Sequence, residues 1–311
     1  MAKVKTSDQL IAGTKRRGMI PESGQTFTTD EFLDILNEEF AIGLLPNILV
    51  LHEEHFVVTE NMVAIPNTSP QRYKIPYRAS GNKLRDVFIK SDNYYRELSR
   101  IDPENKDTQY RYTNYVFYVE GDEIVIPSTG LQGTLQCSYY FRPNELVSDS
   151  RAGVITAIDT TTGEITLSKT PTHFTTSLEY DFVKAKSPNK VMNFDKTASA
   201  VNSTTNVITF TASDLHEELA VGDYVMQAEE TIVPQMPVEL VPVLTQMAAI
   251  ACLESLGDVE GALKAEKKLE RMEKGLGILI DNRVEGAPQK IVNKRTRLGR
   301  WNRVRGYGFN D

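Results

Sequence analysis

The stretch "VELVPVLTQMAAIACLESLGDVEGALKAEKKLERM", residues 238–272, sets the helical part of the fold. Between Leu240 and Leu253 it is apolar on nearly every side, the pattern of a helix enclosed by other elements. Gly257 can close that helix, and Asp258 can cap the next one. The second helix is expected over about Val259–Arg283, roughly 36 Å long at 1.5 Å per residue. Ala262, Ala265, Leu269, Met272, Leu276 and Leu279 recur along it at spacings of three and four, with Lys and Glu on the other faces. Such a seam packs inside its own fold or, in part, between copies in an oligomer.

Upstream, "TFTTDEFLDILNEEFAIGLLP" (26–46) predicts another helix. Thr28 and Glu31 form a capping-box pattern, Phe32, Ile35, Leu36 and Phe40 an apolar stripe, and Gly43 with Pro46 a stop. A shorter helix is expected over residues 7–16. From residue 47 to 150 the grammar changes to strands: "HFVVTENMVAIP", "QRYKIPYRA", "KLRDVFIK", "NYVFYVEGDEIVIP" and "GTLQCSYYFRP" are rich in β-branched and aromatic residues. "VEGD" within the fourth has the chemistry of a hairpin turn.

Residues 151–231 carry an internal repeat. "ITAIDTTTGEITLS" (155–168) aligns with "ASAVNSTTNVITFT" (198–211) at an offset of 43, and "YDFVKAK" (180–186) with "GDYVMQA" (222–228) at an offset of 42. Each copy reads strand, Thr-rich turn, strand, loop, strand. An isolated hairpin is marginal in water, so the copies are expected to pack together as a small barrel or sandwich inserted in the main domain. Two similar hairpins arising from common β grammar would give the same all-β module.

The chain has 35 Lys or Arg against 42 Asp or Glu, yet the charge is segregated. Residues 287–311 hold seven basic residues and one acid, leaving residues 1–286 with a net of −13. This tail, 286–311, has too little apolar content to fold alone. It can be a solvated end, a nucleic-acid arm that neutralises phosphates, or a docking peptide with arginines for an acidic neighbour and Trp301 as anchor. The single tryptophan of the chain lies there, which favours an anchor.

Chemistry is sparse. No run of eighteen apolar residues predicts a membrane span, and the N-terminus lacks the apolar region of a secretory signal. Cys137 and Cys252 read as small buried hydrophobes, so a reducing compartment is expected. "HEEHF" (52–56) places its histidines three apart rather than the four a zinc-binding helix needs. No nucleophile elbow or phosphate-cradling loop is present. No catalytic residue, metal or cofactor is therefore expected, and the chain reads as a non-enzyme.

The order and texture of "DEFLDILNEEFAIGLLPNILVLHEEHFVV", "YKIPYRASGNKLRDV", "YVFYVEGDEIVIP" and "CSYYFRPNELV", followed by "PVELVPVLTQMAAIACLESLGDVEGALKAEKKLERM" and "RVEGAPQKIV", resemble the head-to-tail adaptor (connector ring) proteins of tailed bacteriophages, of the podovirus kind. The resemblance implies a ring, commonly of twelve copies, in the virion neck between portal and tail proteins. DNA would pass through it without sequence-specific binding. Ala262, Ala265, Leu269, Met272, Leu276 and Leu279 would lie on the helix that builds the ring wall. Lys290, Lys294, Arg295, Arg297, Arg300, Trp301, Arg303, Arg305, Tyr307 and Phe309 would form the portal-docking arm, ordered on binding and acting with avidity around the ring. The inserted module looks like an addition to the plainest members of that group.

The expected fold is α+β. N-terminal helices (1–46) and a C-terminal αα-hairpin (232–285) would make a helical bundle beside a β-rich region (47–150), the inserted β-module (151–231) and the tail (286–311). The alternative function is a nucleic-acid-binding protein that uses the tail as its arm.

Overall fold

The computed structural model describes residues 4–21, 26–64, 70–91, 94–105, 115–127, 133–186 and 189–280. Within them the chain is mixed α+β, with several sheets and a C-terminal helical region. The tail residues named above fall outside the described residues.

The helices are α1 (Ser7–Arg17), α2 (Thr29–Glu38), α3 (Leu45–Leu51), α4 (Val241–Ser255) and α5 (Val259–Ile280). Ten of the 15 residues of α4 are buried, as its unbroken apolar character demands. By length and composition alone Val238–Ser255 could cross a membrane, with a mean hydropathy of 1.4, but 61% of it is buried in the fold, the situation of a core helix. Leu10, Phe32, Leu36, Ile48, Leu244, Ala248 and Cys252 meet in one core. Gln246, buried within α4, accepts from Arg17 at 2.8 Å and donates to the Ala265 carbonyl at 3.2 Å, so one polar side chain ties α1 to α5.

Local signals set the helix ends. Thr28 Oγ1 accepts from the Glu31 amide at 3.2 Å while Glu31 Oε2 accepts from the Thr28 amide at 2.6 Å, a complete capping box. After α4 the Gly257 and Asp258 amides donate to the Glu254 and Leu253 carbonyls, and Asp258 Oδ1 then accepts from the Gly261 amide at 2.9 Å.

One sequence expectation is corrected. Gly43 and Pro46 do not end the helical path: a six-residue π turn, Glu39–Leu44, follows α2, and α3 continues to Leu51. Pro46 sits in the first turn of α3, directly after the π turn, and the chain stays helical through it. Gly43 lies close to α4: a Cβ there would meet the Met247 methyl, so the end of that flexible side chain would have to shift.

The β-rich region forms two four-stranded sheets. The first runs β1 (Val57–Ala64), β8 (Thr134–Phe141), β3 (Ala79–Ser91), β4 (Tyr94–Glu97). The second runs β2 (Gln71–Lys74), β7 (Glu123–Ile126), β6 (Val116–Glu120), β5 (Ser99–Arg100). Gly121 and Asp122 turn the β6–β7 hairpin at the sequence "VEGD". Val87, Ile89, Ile124, Ile126, Leu135, Cys137 and Tyr139 share the core of this region.

β9 (Glu145–Leu146) and β17 (Glu230–Thr231) pair in parallel, so the chain leaves for the module and returns from it side by side. Asn37 of α2 both accepts from the Leu146 amide at 2.8 Å and donates to its carbonyl at 3.1 Å, fastening that junction to the helices.

Between them lie β10 (Gly153–Asp159), β11 (Glu164–Leu167), β12 (Glu179–Val183), β13 (Val191–Thr197), β14 (Ala200–Asn202), β15 (Val207–Thr209) and β16 (Tyr224–Gln227). Their order is β13-β12-β16-β10-β11-β15-β14. Equivalent strands of the two copies pair with each other: Ile165 lies opposite Ile208, and Phe182 opposite Val225, all four fully buried. The turns match as well. Asp159 Oδ1 accepts from the Thr161 and Thr162 amides, and Asn202 Oδ1 from those of Thr204 and Thr205. Gly163 (φ +78°) and Asn206 (φ +56°) then take the left-handed conformation at the same place in each copy.

Candidate functional site

The seam residues of α5 serve this chain's own core. Ala262 and Ala265 are buried against Ile250 and Leu253, and Leu269 and Met272 are half-buried against the helical core. Leu276 and Leu279 lie on α5, but their side chains fall outside the described residues. What the helical elements leave bare is a different set. Ile42 is 79% exposed, Val50 84% and Val259 67%, joined by Met19, Leu51, Leu256 and Leu263. Among the described residues, seven of the eleven strongly exposed large apolar ones sit on or beside helices, and one, Val221, lies in the β-module. Exposed apolar side chains scattered singly are ordinary, whereas a contiguous patch of them marks a contact surface.

A second constellation joins the module to the first sheet. Arg78, at the start of β3 and 2% exposed, donates to both Asp181 oxygens at 2.9 Å, to Asp195 at 2.6 Å and to Asn144 Oδ1 at 3.2 Å. Asp181, on β12, also accepts from Asn144 Nδ2 at 2.6 Å and from the Asp195 and Glu229 amides at 3.0 and 3.1 Å. The guanidinium carbon lies 5.6 and 5.9 Å from the ring centres of Phe141 and Phe194, which pack on each other at 5.3 Å. Burial alone would weaken the charge on Arg78, but the hydrogen bond to Asp195 and the charge of Asp181 outweigh it and raise its affinity for the proton. Burial pushes the Asp181 carboxyl up, against the pull of Arg78 and the two amides. The cluster fixes how the module meets the sheet. It holds position rather than reacting, because every strong donor and acceptor is already engaged.

Beside it opens a cleft of about 830 Å³, lined by Glu60, Tyr73, Tyr77, Arg78, Phe194 and Asp195 among others. Glu60 is raised, first by burial, even though it accepts from the Tyr139 hydroxyl at 2.8 Å. His55 is held neutral: burial, with the charges of Lys190 and His52, lowers it to about 4. His52 and His55 stand with ring centres 6.0 Å apart, and among the described residues no group of three or more His, Cys, Asp or Glu is arranged to hold a metal. Cys137 and Cys252 are both free and fully buried; burial pushes their thiols up to about 12 and about 11.

No family model matches the chain, and no curated protein matches it significantly.

The exposed apolar edge and the Arg78 cluster were not singled out in the sequence. The only signals available were Ile42, Val50 and Val259 off the helical seams, and two aspartates inside the apolar strands "YDFV" and "NFDKT".

Proposed function

We propose that this chain is a structural virion protein: a head-to-tail adaptor whose copies form a ring, twelve in number, joining the portal to tail proteins around a DNA conduit. The observation that carries this reading is the unequal distribution of exposed apolar side chains, seven on the helical elements against one in the module. Helices that pack an inner seam and leave other apolar side chains bare suit a wall built from repeated copies, since head-to-tail contacts form a ring when their rotation closes. The helical elements are read as the bundle of that wall.

The module is read as a closed barrel with two-fold pseudosymmetry. β13 and β14, at opposite ends of its strand order, are separated only by Ala198 and Ser199, which supports closure. The basic tail, with Lys290, Lys294, Arg295, Arg297, Arg300, Trp301, Arg303, Arg305, Tyr307 and Phe309, is the portal-docking arm in this reading. Its charge is opposite to that of the body, which suits it to an acidic neighbour.

The test is particle assembly with a chain ending at residue 286. Loss of the protein from particles, with its folding unchanged, supports the docking arm; normal incorporation refutes it. If the truncated chain instead loses only a salt-sensitive affinity for DNA, the tail is a nucleic-acid arm.

A further inference from the structure

The body is acidic as a whole, but residues 71–100 hold eight basic residues and three acids. Not all of that charge is free. Arg72 is engaged by Glu120 and Glu123, Arg85 by Glu53 and Asp86, and Arg78 is the buried cluster described above. Lys90, Arg96 and Arg100 are exposed and have no carboxylate partner among the described residues.

Lys90 lies on β3 and Arg96 on its neighbour β4 in the first sheet, while Arg100 lies on β5, the last strand of the second sheet. β4 is the last strand of its sheet, and all four of its residues, Tyr94 to Glu97, are exposed. Lys90 of β3 faces Tyr95 across the ladder, its ammonium 5.5 Å from the ring centre. Arg96 emerges on the opposite face, stacked on Tyr115 at 3.6 Å. Tyr94 and Tyr95 are 49% and 61% exposed. Arg100 follows on β5.

We propose that this edge ribbon binds the phosphate backbone of a double-stranded nucleic acid through Lys90, Arg96 and Arg100. The chemistry favours a polyanion over a protein face. Lys90 and Arg96 stand on opposite faces of the sheet edge, as suits an edge lying along a phosphate backbone. A protein-docking face needs an apolar centre, and β4 carries no aliphatic residue. At physiological ionic strength charges are screened beyond about 8 Å, so a local cluster can attract phosphates although the chain as a whole is negative. This inference stands independently of the adaptor reading, because it is tested on the purified chain.

The experiment is fluorescence anisotropy of a short labelled DNA duplex with the full-length chain at rising salt, for the wild type and for the triple variant Lys90→Glu, Arg96→Glu, Arg100→Glu. A second full-length variant carries Arg295→Gln, Arg297→Gln and Arg300→Gln. The ribbon variant is expected to lose roughly tenfold or more in affinity at low salt, and its log–log salt slope to flatten by about 3, one phosphate contact per lost cation. The tail variant retains that salt-dependent component. If the ribbon variant melts early, glutamine at the same three positions is expected to give a smaller loss in the same direction. Three results overturn the inference: no duplex binding by the wild type at low salt, binding that only the tail variant weakens, or competition by polyglutamate as strong as by duplex. The last would make the edge a dock for an acidic protein.

Discussion

The helical elements and the repeated β-module each bury a continuous core, yet they treat their outer surfaces in opposite ways. The module turns Thr, Asn and Asp outward at its hairpins and leaves one large apolar residue, Val221, strongly exposed. The helical elements bury Ala262 and Ala265 and half-bury Leu269 and Met272, but leave Ile42, Val50, Leu51, Leu256, Val259 and Leu263 in solvent. A duplicated unit completes itself, because each copy covers the other's apolar face through Ile165 on Ile208 and Phe182 on Val225. The helices have no second copy within the chain. In the adaptor reading proposed above, the difference separates a self-contained attachment from a part that contacts other copies.

The sharpest break in that comparison lies at the joint. Arg78→Ala leaves Asp181 buried without its cation, and a loss of about 3–5 kcal/mol in urea unfolding is expected. Next comes the pseudosymmetry. Ile165→Ala and Ile208→Ala each remove a fully buried side chain from paired positions, so each is expected to cost about 2–5 kcal/mol and the two losses to agree closely. Widely different values would break the equivalence of the copies.

Acid gives a third, smaller test. His55 is neutral in the fold, with its value lowered from 6.5 to about 4, so between those limits the unfolded chain binds the extra proton. Stability is full above the upper limit and falls by up to about 1.4 kcal/mol per pH unit towards the lower one. His55→Gln is expected to flatten urea midpoints across that window. Thr28→Ala removes the cap of α2 and is expected to cost about 1 kcal/mol, read as a lowered melting temperature. Smallest in stability is the pair Val50→Ser and Val259→Ser, expected to stay within about 0.5 kcal/mol of the wild type. The same pair is expected to abolish self-association in sedimentation, which a purely solvated edge would not do.

Features specified by neighbours in the chain were legible beforehand. The Thr28–Glu31 box and the stop and restart at Gly257 and Asp258 rest on contacts within a few residues, and the burial of α4 was legible from its own unbroken apolar character. The repeat could be read because its offset of 43 carries Ile165 onto Ile208, its partner in the sheet. Pro46 misled because the residue that breaks a helix interior is also favoured in a first turn. Arg78 was invisible for another reason: its partner Asp181 is 103 positions away, and neither residue has a local pattern. Of the candidate site, the seam from Ala262 to Met272 was legible as an apolar stripe. The exposed edge was not, since exposure depends on what the rest of the fold fails to cover.

The measurement that bears most directly on the adaptor reading is mass photometry of the full-length chain, alone and mixed with the portal of the same virus. The account predicts a complex of portal and chain in near-integer stoichiometry, lost when residues 287–311 are removed. A full-length chain that leaves the portal mass unchanged would contradict it.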